Sequence, residues 1–190
     1  MNAKGNPFRT EQIHRIGYRL LEGSWDGLLE KLEDLDYYAA IVGPDGSGKT
    51  TLLEHLGDLL AGRRFAVKRL HLSEKNPSIP RSSLDNLIAH LTDSDIILFD
   101  GADLMSRLAW SRFERRASKA AGLIITSNRR GMLPTLIECR TTQELLKGIV
   151  AELMGGEEHG IDLAGLFDRH EGNVRSIFRE LYDTFAGAPH

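Results

Sequence analysis

The sequence has almost no cysteine and no long apolar run. Cys139 is the only cysteine, so no disulfide can form within the chain, and we expect it to be a reduced core residue. Residues 1–10 contain no apolar signal region, and no apolar run approaches the length of a membrane span. These absences predict a cytoplasmic protein without a membrane partner.

The sequence also lacks an excess of basic residues and a set of histidines and cysteines spaced to bind a metal ion. The formal net charge is -3, so the composition does not indicate nucleic acid or a membrane surface as a partner. The histidines do not have the spacing of metal ligands, and Cys139 has no companion with which to bind zinc. The length of 190 residues, with 41% hydrophobic and 27% charged residues, suits one α/β domain.

A glycine-rich loop is the strongest motif. It follows the apolar residues 37–42 and precedes leucines at helical spacing, so strand, loop and helix occur in the order of a phosphate loop. The alternative, a chance glycine-rich turn, does not account for that order. We predict that nucleotide phosphates bind at Gly43, Pro44, Asp45, Gly46, Ser47, Gly48, Lys49, Thr50 and Thr51.

Each part of this loop has a physical role in the prediction. The glycines allow a close backbone approach, so that backbone amides at the positive end of the next helix can surround a phosphate. Lys49 is placed to reach the β- and γ-phosphates, and the Thr50 hydroxyl is placed to bind Mg²⁺.

Strand and helix patterns alternate along the chain. We predict strands at 37–42, 65–72, 95–100, 122–127 and 136–139, and a long helix at 102–121, which together indicate a three-layer α/β/α fold with a five-stranded parallel sheet. Helices follow from residue 141. The predicted division is an N-terminal helical segment packed on the core at 1–36, an α/β core at 37–140 and a helical lid at 141–190.

Four polar residues could complete a nucleotide site. Asp100 ends an apolar strand and could hold Mg²⁺, or could cap a helix. Asp103 could orient water or cap the following helix, and the two roles are equally supported. Asn128 could contact the γ-phosphate or form a turn. Arg175 lies beside the apolar stripe of the last helix and could reach a phosphate or remain solvated.

The phosphate loop, Asp100, Asn128 and Arg175 follow one another along the chain in an order that resembles AAA+ ATPases. The resemblance covers residues 37–185. The resemblance implies Walker A at 43–50, Walker B at 96–100, sensor 1 at Asn128, sensor 2 at Arg175 on a C-terminal helical lid, and strand order 5-1-4-3-2. AAA+ proteins usually have Glu after the Walker B Asp, where this chain has Gly101. The run Asp-Gly-Ala-Asp is more similar to the STAND group of nucleotide switches. Arg129 and Arg130 follow sensor 1 but do not identify an arginine finger.

The resulting hypothesis is an ATP-binding protein with ATPase or ATP-switch activity, using ATP and Mg²⁺. The sequence lacks the Asn-Lys-x-Asp motif that reads guanine, which favours ATP over GTP, and lacks the Leu-Ser-Gly-Gly-Gln signature of ABC transporter ATPases. Two alternatives stay open, a P-loop kinase for a small molecule and a non-hydrolysing, nucleotide-regulated binding module. A protein partner, for example at the basic stripe 112–119, and a homo-oligomer are both compatible with the sequence.

Overall fold

The computed structural model describes residues 6–156 and 160–187, which form a sheet with helices on both faces and a helical C-terminal part. The helices are α1 Thr10–Ile16, α2 Trp25–Asp34, α3 Lys49–Ala61, α4 Arg81–Ala89, α5 Arg107–Ala117, α6 Gln143–Leu153, α7 Leu163–Arg169 and α8 Val174–Gly187. The strands are β1 Tyr38–Val42, β2 Ala66–His71, β3 Asp95–Asp100, β4 Gly122–Ser127 and β5 Thr135–Glu138.

The sheet is five-stranded, with the spatial order β2-β3-β4-β1-β5. Every neighbouring pair is parallel. This is the predicted order 5-1-4-3-2 counted from the opposite edge, so the prediction is confirmed. Because the strands are parallel, their carboxyl ends meet at one edge, where the glycine-rich loop leaves β1.

Alternate residues of β3 enter two different apolar layers. Ile96 and Leu98 belong to the layer that contains Leu56 of α3, whereas Ile97 and Phe99 belong to the layer that contains Phe113 of α5. This two-residue period follows from the pleat of a strand, which sends successive side chains to opposite faces. The result is the predicted three-layer α/β/α arrangement.

A third apolar cluster lies in the C-terminal helices. Leu146 of α6, Leu166 of α7 and Ile177 of α8 are buried in it together with Phe8 from the N-terminal segment. The α2 helix, by contrast, contributes Leu32 to one of the layers against the sheet. The N-terminal segment therefore contacts both the sheet and the C-terminal helices.

The predicted long helix at 102–121 is wrong. The chain forms a short 3-10 turn at Ala102–Leu104, extends at Met105 and begins α5 only at Arg107. The Ser106 hydroxyl caps α5 by accepting a hydrogen bond from the Ala109 amide at 3.3 Å. Asp103 therefore lies in this short 3-10 turn, close to the end of β3, and not inside an α-helix.

Helix α4 starts at Arg81 directly after Pro80, and no side chain caps it. Within residues 6–156 and 160–187, no helix combines the length and the apolar character needed to cross a bilayer.

Candidate functional site

The glycine-rich loop joins β1 to α3 at the carboxyl edge of the sheet. Gly46 and Gly48 have φ angles of 73° and 88°, in the left-handed region that side chains with a β-carbon disfavour. A β-carbon on Gly43 would lie 2.5 Å from the carbonyl oxygen of Cys139. The loop conformation thus depends on Gly43 and Gly48, which the phosphate-loop pattern requires, and also on Gly46, which it does not.

The ammonium of Lys49 extends back across the loop. Its Nζ donates hydrogen bonds to the carbonyl oxygens of Gly43 and Pro44, both at 2.8 Å. Burial lowers the pKa of Lys49, and the nearby carboxylates of Asp45 and Asp103 partly oppose that shift. The group lies where the motif predicts a phosphate-binding cation.

The two residues predicted to hold Mg²⁺ are in direct contact. Thr50 Oγ1 lies 3.0 Å from Asp100 Oδ2 and 3.2 Å from Oδ1, and its hydroxyl can donate to either. Thr50 lies in the first turn of α3 and Asp100 ends β3, so the contact joins the glycine-rich loop to the neighbouring part of the sheet edge. A hydroxyl that donates its proton to a carboxylate still has lone pairs free to bind a cation.

Sequence reasoning missed two further residues that contact Asp100. Thr126 Oγ1 donates to Asp100 Oδ1 at 2.6 Å and accepts from the Gly101 amide at 2.7 Å. His71 Nδ1 lies 3.0 Å from Asp100 Oδ2. His71 ends β2 and Thr126 is the last but one residue of β4, so their position at the carboxyl ends of predicted parallel strands was the available signal.

Asp103 and Asn128 are also brought together. The backbone N–H of Asn128 donates to Asp103 Oδ2 at 3.0 Å, and the Asn128 side-chain Nδ2 donates to Asp45 Oδ1 at 3.1 Å. A continuous set of contacts therefore runs from the turn after β3, through the end of β4, to the glycine-rich loop. The second carboxylate oxygen of Asp103 forms no hydrogen bond within the described part of the chain.

The start of α8 touches the loop. A β-carbon on Gly46 would overlap the side chain of Asn173, whose Oδ1 accepts from the Ser176 amide at 3.0 Å and so caps α8. Arg175 is exposed two residues further on and forms no hydrogen bond or ion pair with any described residue. The structure thus brings Asn173, which the sequence analysis did not select, into the site, and leaves Arg175 at its border.

A tyrosine from the N-terminal segment covers the other side of the loop. A β-carbon on Gly48 would lie 3.1 Å from the ring of Tyr18. The Tyr18 hydroxyl donates to Cys139 Sγ at 3.3 Å, and burial raises the pKa of the tyrosine. Neither contact had a signal in the sequence, because residues 18, 48 and 139 are far apart along the chain.

The residues present suit a phosphate and a magnesium ion. Ser47 is only 4% exposed, and its Oγ lacks a hydrogen-bond partner among the described residues, which a phosphate oxygen would supply. Thr50 and Asp100 offer the oxygen ligands that Mg²⁺ prefers. The described residues contain no group of three or more His, Cys, Asp or Glu able to hold a metal. Beside Thr50 and Asp100, an ion here would take phosphate oxygens and water as ligands.

Fold and loop together define the class of protein. A parallel sheet with helices on both faces, a glycine-rich loop after β1 and an Asp at the end of β3 are the features of a P-loop NTPase.

Comparison with solved structures shows proteins with a similar fold. A single-site variant of RuvB from Thermotoga maritima matches with a TM-score of 0.56 at 18% identity, covering 83% of this chain and 60% of RuvB. AMPPCP-bound DnaA from Aquifex aeolicus matches with a TM-score of 0.56 at 17% identity, covering 84% of this chain and 61% of DnaA. The chain therefore shares its fold with these two proteins, and its sheet has the strand order that the resemblance to AAA+ ATPases implied.

Sequence comparison agrees at the level of the P-loop NTPases. The chain is 30% identical over 128 residues to the vitamin B12 import ATP-binding protein BtuD of Vibrio parahaemolyticus. The aligned stretch covers 66% of this chain and 47% of BtuD. The chain thus matches about half the length of that curated relative. No family model matches the sequence.

Proposed function

We propose that the protein binds ATP with Mg²⁺ at residues 43–51 and hydrolyses it. The observation that carries this proposal is the contact between Thr50 Oγ1 and Asp100 Oδ2, 3.0 Å apart at the end of the glycine-rich loop. Thr50 and Asp100 stand at the motif positions that P-loop enzymes use for Mg²⁺, and their contact beside the proposed phosphate loop supports the same use here. The ATP-binding relatives support the choice of nucleotide.

The roles of the loop residues follow from their positions. The loop amides and the Ser47 hydroxyl would hold the phosphates, and Lys49 would exchange its contacts with the Gly43 and Pro44 carbonyls for contacts with phosphate oxygens. Thr50 and Asp100 would hold Mg²⁺. When bound, the ion neutralises phosphate charge and stabilises the charge that develops during phosphoryl transfer.

Asp103 is the candidate for orienting the attacking water. One of its oxygens is held by the Asn128 amide at 3.0 Å, which fixes the carboxylate and leaves the other oxygen free to accept a hydrogen bond from water. Asn128 and Arg175 would contact the γ-phosphate, Asn128 from the sheet edge and Arg175 from the lid. We retain the division into a segment at 1–36, a core at 37–140 and a lid at 141–190 as part of this proposal.

The first test measures nucleotide binding and phosphate release in parallel. We expect Lys49→Ala to bind ATP about 10- to 100-fold more weakly, because it removes a charged hydrogen-bond donor to phosphate. We expect Asp103→Asn to bind ATP normally but to release phosphate about 10²- to 10⁴-fold more slowly. The oxygen of the new side-chain amide can still accept from the Asn128 backbone N–H, but the amide cannot take up a proton from the attacking water.

Matched controls are available on the surface. Lys119→Ala and Asp93→Asn change exposed residues of the same types elsewhere, and both should bind and hydrolyse ATP like the wild type. Wild-type protein that binds no nucleotide would overturn the proposal. Binding without turnover would replace hydrolysis by a switch function.

The switch is the second candidate, and one contact favours it. Asn173 caps α8 and touches Gly46, so occupancy of the loop and the position of the lid cannot be independent. The kinase alternative would use Arg129 and Arg130 in the loop after β4, but it leaves Gly172 to Arg175 without a role. BtuD is named as an import ATP-binding protein, but this chain lacks the Leu-Ser-Gly-Gly-Gln signature of ABC transporter ATPases, so we propose no import role for it.

We also propose a cytoplasmic location for the protein. Cys139, the only cysteine of the chain, is a buried free thiol, which supports this location.

A further inference from the structure

The Asp100 carboxylate is held from both neighbouring strands. Its strand, β3, lies between β2 and β4 in the sheet. Thr126 of β4 donates to Oδ1 at 2.6 Å, and His71 of β2 contacts Oδ2 at 3.0 Å. Each oxygen therefore has a partner of its own in the sheet, in addition to the Thr50 hydroxyl.

The strand register explains why His71 reaches this carboxylate. His71 pairs with Asp100 in the parallel ladder, at the last position of both strands. Residues paired in this way lie on the same face of a sheet, so both side chains emerge at the carboxyl edge on the side of the glycine-rich loop. The contact is a product of the fold and not of a neighbouring sequence.

We propose that His71 is a positioning residue for the magnesium–nucleotide complex, through its hydrogen bond to Asp100. Carboxylate oxygens only accept, so Nδ1 is the donating nitrogen of the ring. This donor, together with Thr126, fixes the direction of the carboxylate that would hold Mg²⁺. The inference rests on the proposed function, and it assigns a role that the Walker motifs do not contain.

Exposure separates this role from a structural one. The His71 side chain is 60% exposed, whereas that of Asp100 is 14% exposed. A hydrogen-bonded pair with one largely solvated partner adds little to folding stability. Loss of His71 should therefore leave the fold intact and change the metal site, where removing a residue that orients a ligand typically weakens metal affinity about 10- to 100-fold.

The test is a Mg²⁺ titration of the binding of a fluorescent ATP analogue to the full chain, with a parallel affinity measurement in EDTA. For His71→Ala we expect a Mg²⁺ midpoint raised about 10-fold, an unchanged affinity in EDTA and an unchanged thermal unfolding midpoint. His71→Asn places an amide donor near the position of Nδ1 and should restore the wild-type midpoint. His71→Gln places its amide near the position of Nε2 and should behave like His71→Ala.

His90 provides the matched control. It is an exposed histidine whose Nδ1 contacts the Asn86 carbonyl oxygen at 2.8 Å, and His90→Ala should leave the Mg²⁺ midpoint unchanged. If the wild type binds the analogue and His71→Ala has the wild-type midpoint, the role of His71 is overturned while the proposed function stands. The same conclusion follows if His71→Asn fails to restore the midpoint. If the wild type binds no analogue with or without Mg²⁺, the proposed function and this inference both fall.

Discussion

At the scale of single residues, the Thr126 hydroxyl serves two polar groups at once. It accepts from the Gly101 amide and donates to Asp100 while being almost completely buried. Thr126→Val keeps the shape of the side chain but leaves both partners without this contact. We expect a loss of about 1–3 kcal/mol in the free energy of unfolding, measured by urea denaturation.

The control for that substitution is an exposed threonine. Thr184 donates only to the Glu180 carbonyl on the surface of α8, so Thr184→Val should cost no more than about 0.5 kcal/mol. Equal costs at the two positions would show that the buried hydroxyl is not held as described.

The sequence specified those site residues whose geometry is local. Lys49 and Thr50 follow from the loop pattern, and Asp100 from its position at the end of an apolar strand. His71 and Thr126 depend on which strands are neighbours and on their register, which no local pattern encodes. The position of Asn173 depends on where the C-terminal helices pack, and so it could not be predicted from sequence spacing either.

At the scale of elements, the joint between the loop and α8 is the sensitive point. Gly46→Ala would place a β-carbon into the Asn173 side chain and would also strain a φ angle of 73°. We expect it to be more destabilising than the strain alone, which is about 1–2 kcal/mol, and to weaken ATP binding. Denaturation and nucleotide titration of the same variant measure both effects.

Gly23 isolates the contribution of strain. Its φ is 78°, and a β-carbon there would meet nothing within 4 Å. Gly23→Ala should therefore cost about 1 kcal/mol and leave ATP binding unchanged. Adding Asn173→Ala to Gly46→Ala should recover part of the loss, because it removes the overlapping side-chain atoms; the absence of any recovery would contradict the contact.

The points where helices begin were harder to predict from the sequence than the helices and strands themselves. The helical pattern continues across residues 102–121, yet Ser106 offers a better start for α5 because its hydroxyl satisfies the Ala109 amide. That local competition between a cap and a continuous helix is what turned Asp103 toward Asn128.

At the scale of the whole molecule, Phe8 ties the N-terminal segment to the C-terminal helices. It is 2% exposed and packs against Phe178 and Phe185, with ring centroids 6.1 and 5.3 Å away. Phe8→Ala should reduce the free energy of unfolding by about 3–5 kcal/mol, measured by denaturant titration. Leu21→Ala, at a side chain that is 46% exposed, should change it by about 0.5 kcal/mol or less.

The strand order was predictable, and the placement of Phe8 was not. The order followed from the resemblance carried by the phosphate loop and the two apolar strands that end in polar residues. The partner of Phe8 follows only from the arrangement of α6, α7 and α8, whose apolar stripes show that they are amphipathic but not what covers them.

The burial of Cys139 behind Tyr18 allows local opening of the protein to be measured through its own thiol. The only thiol of the chain is fully buried behind the loop, hydrogen-bonded to the tyrosine that covers Gly48, and burial raises its pKa. A thiol-specific dye can react only when the structure around Cys139 opens, because the sulfur is buried, and the raised pKa slows the reaction further because the thiolate is the reacting form. The labelling rate therefore measures local opening around Cys139, and it needs no engineered cysteine.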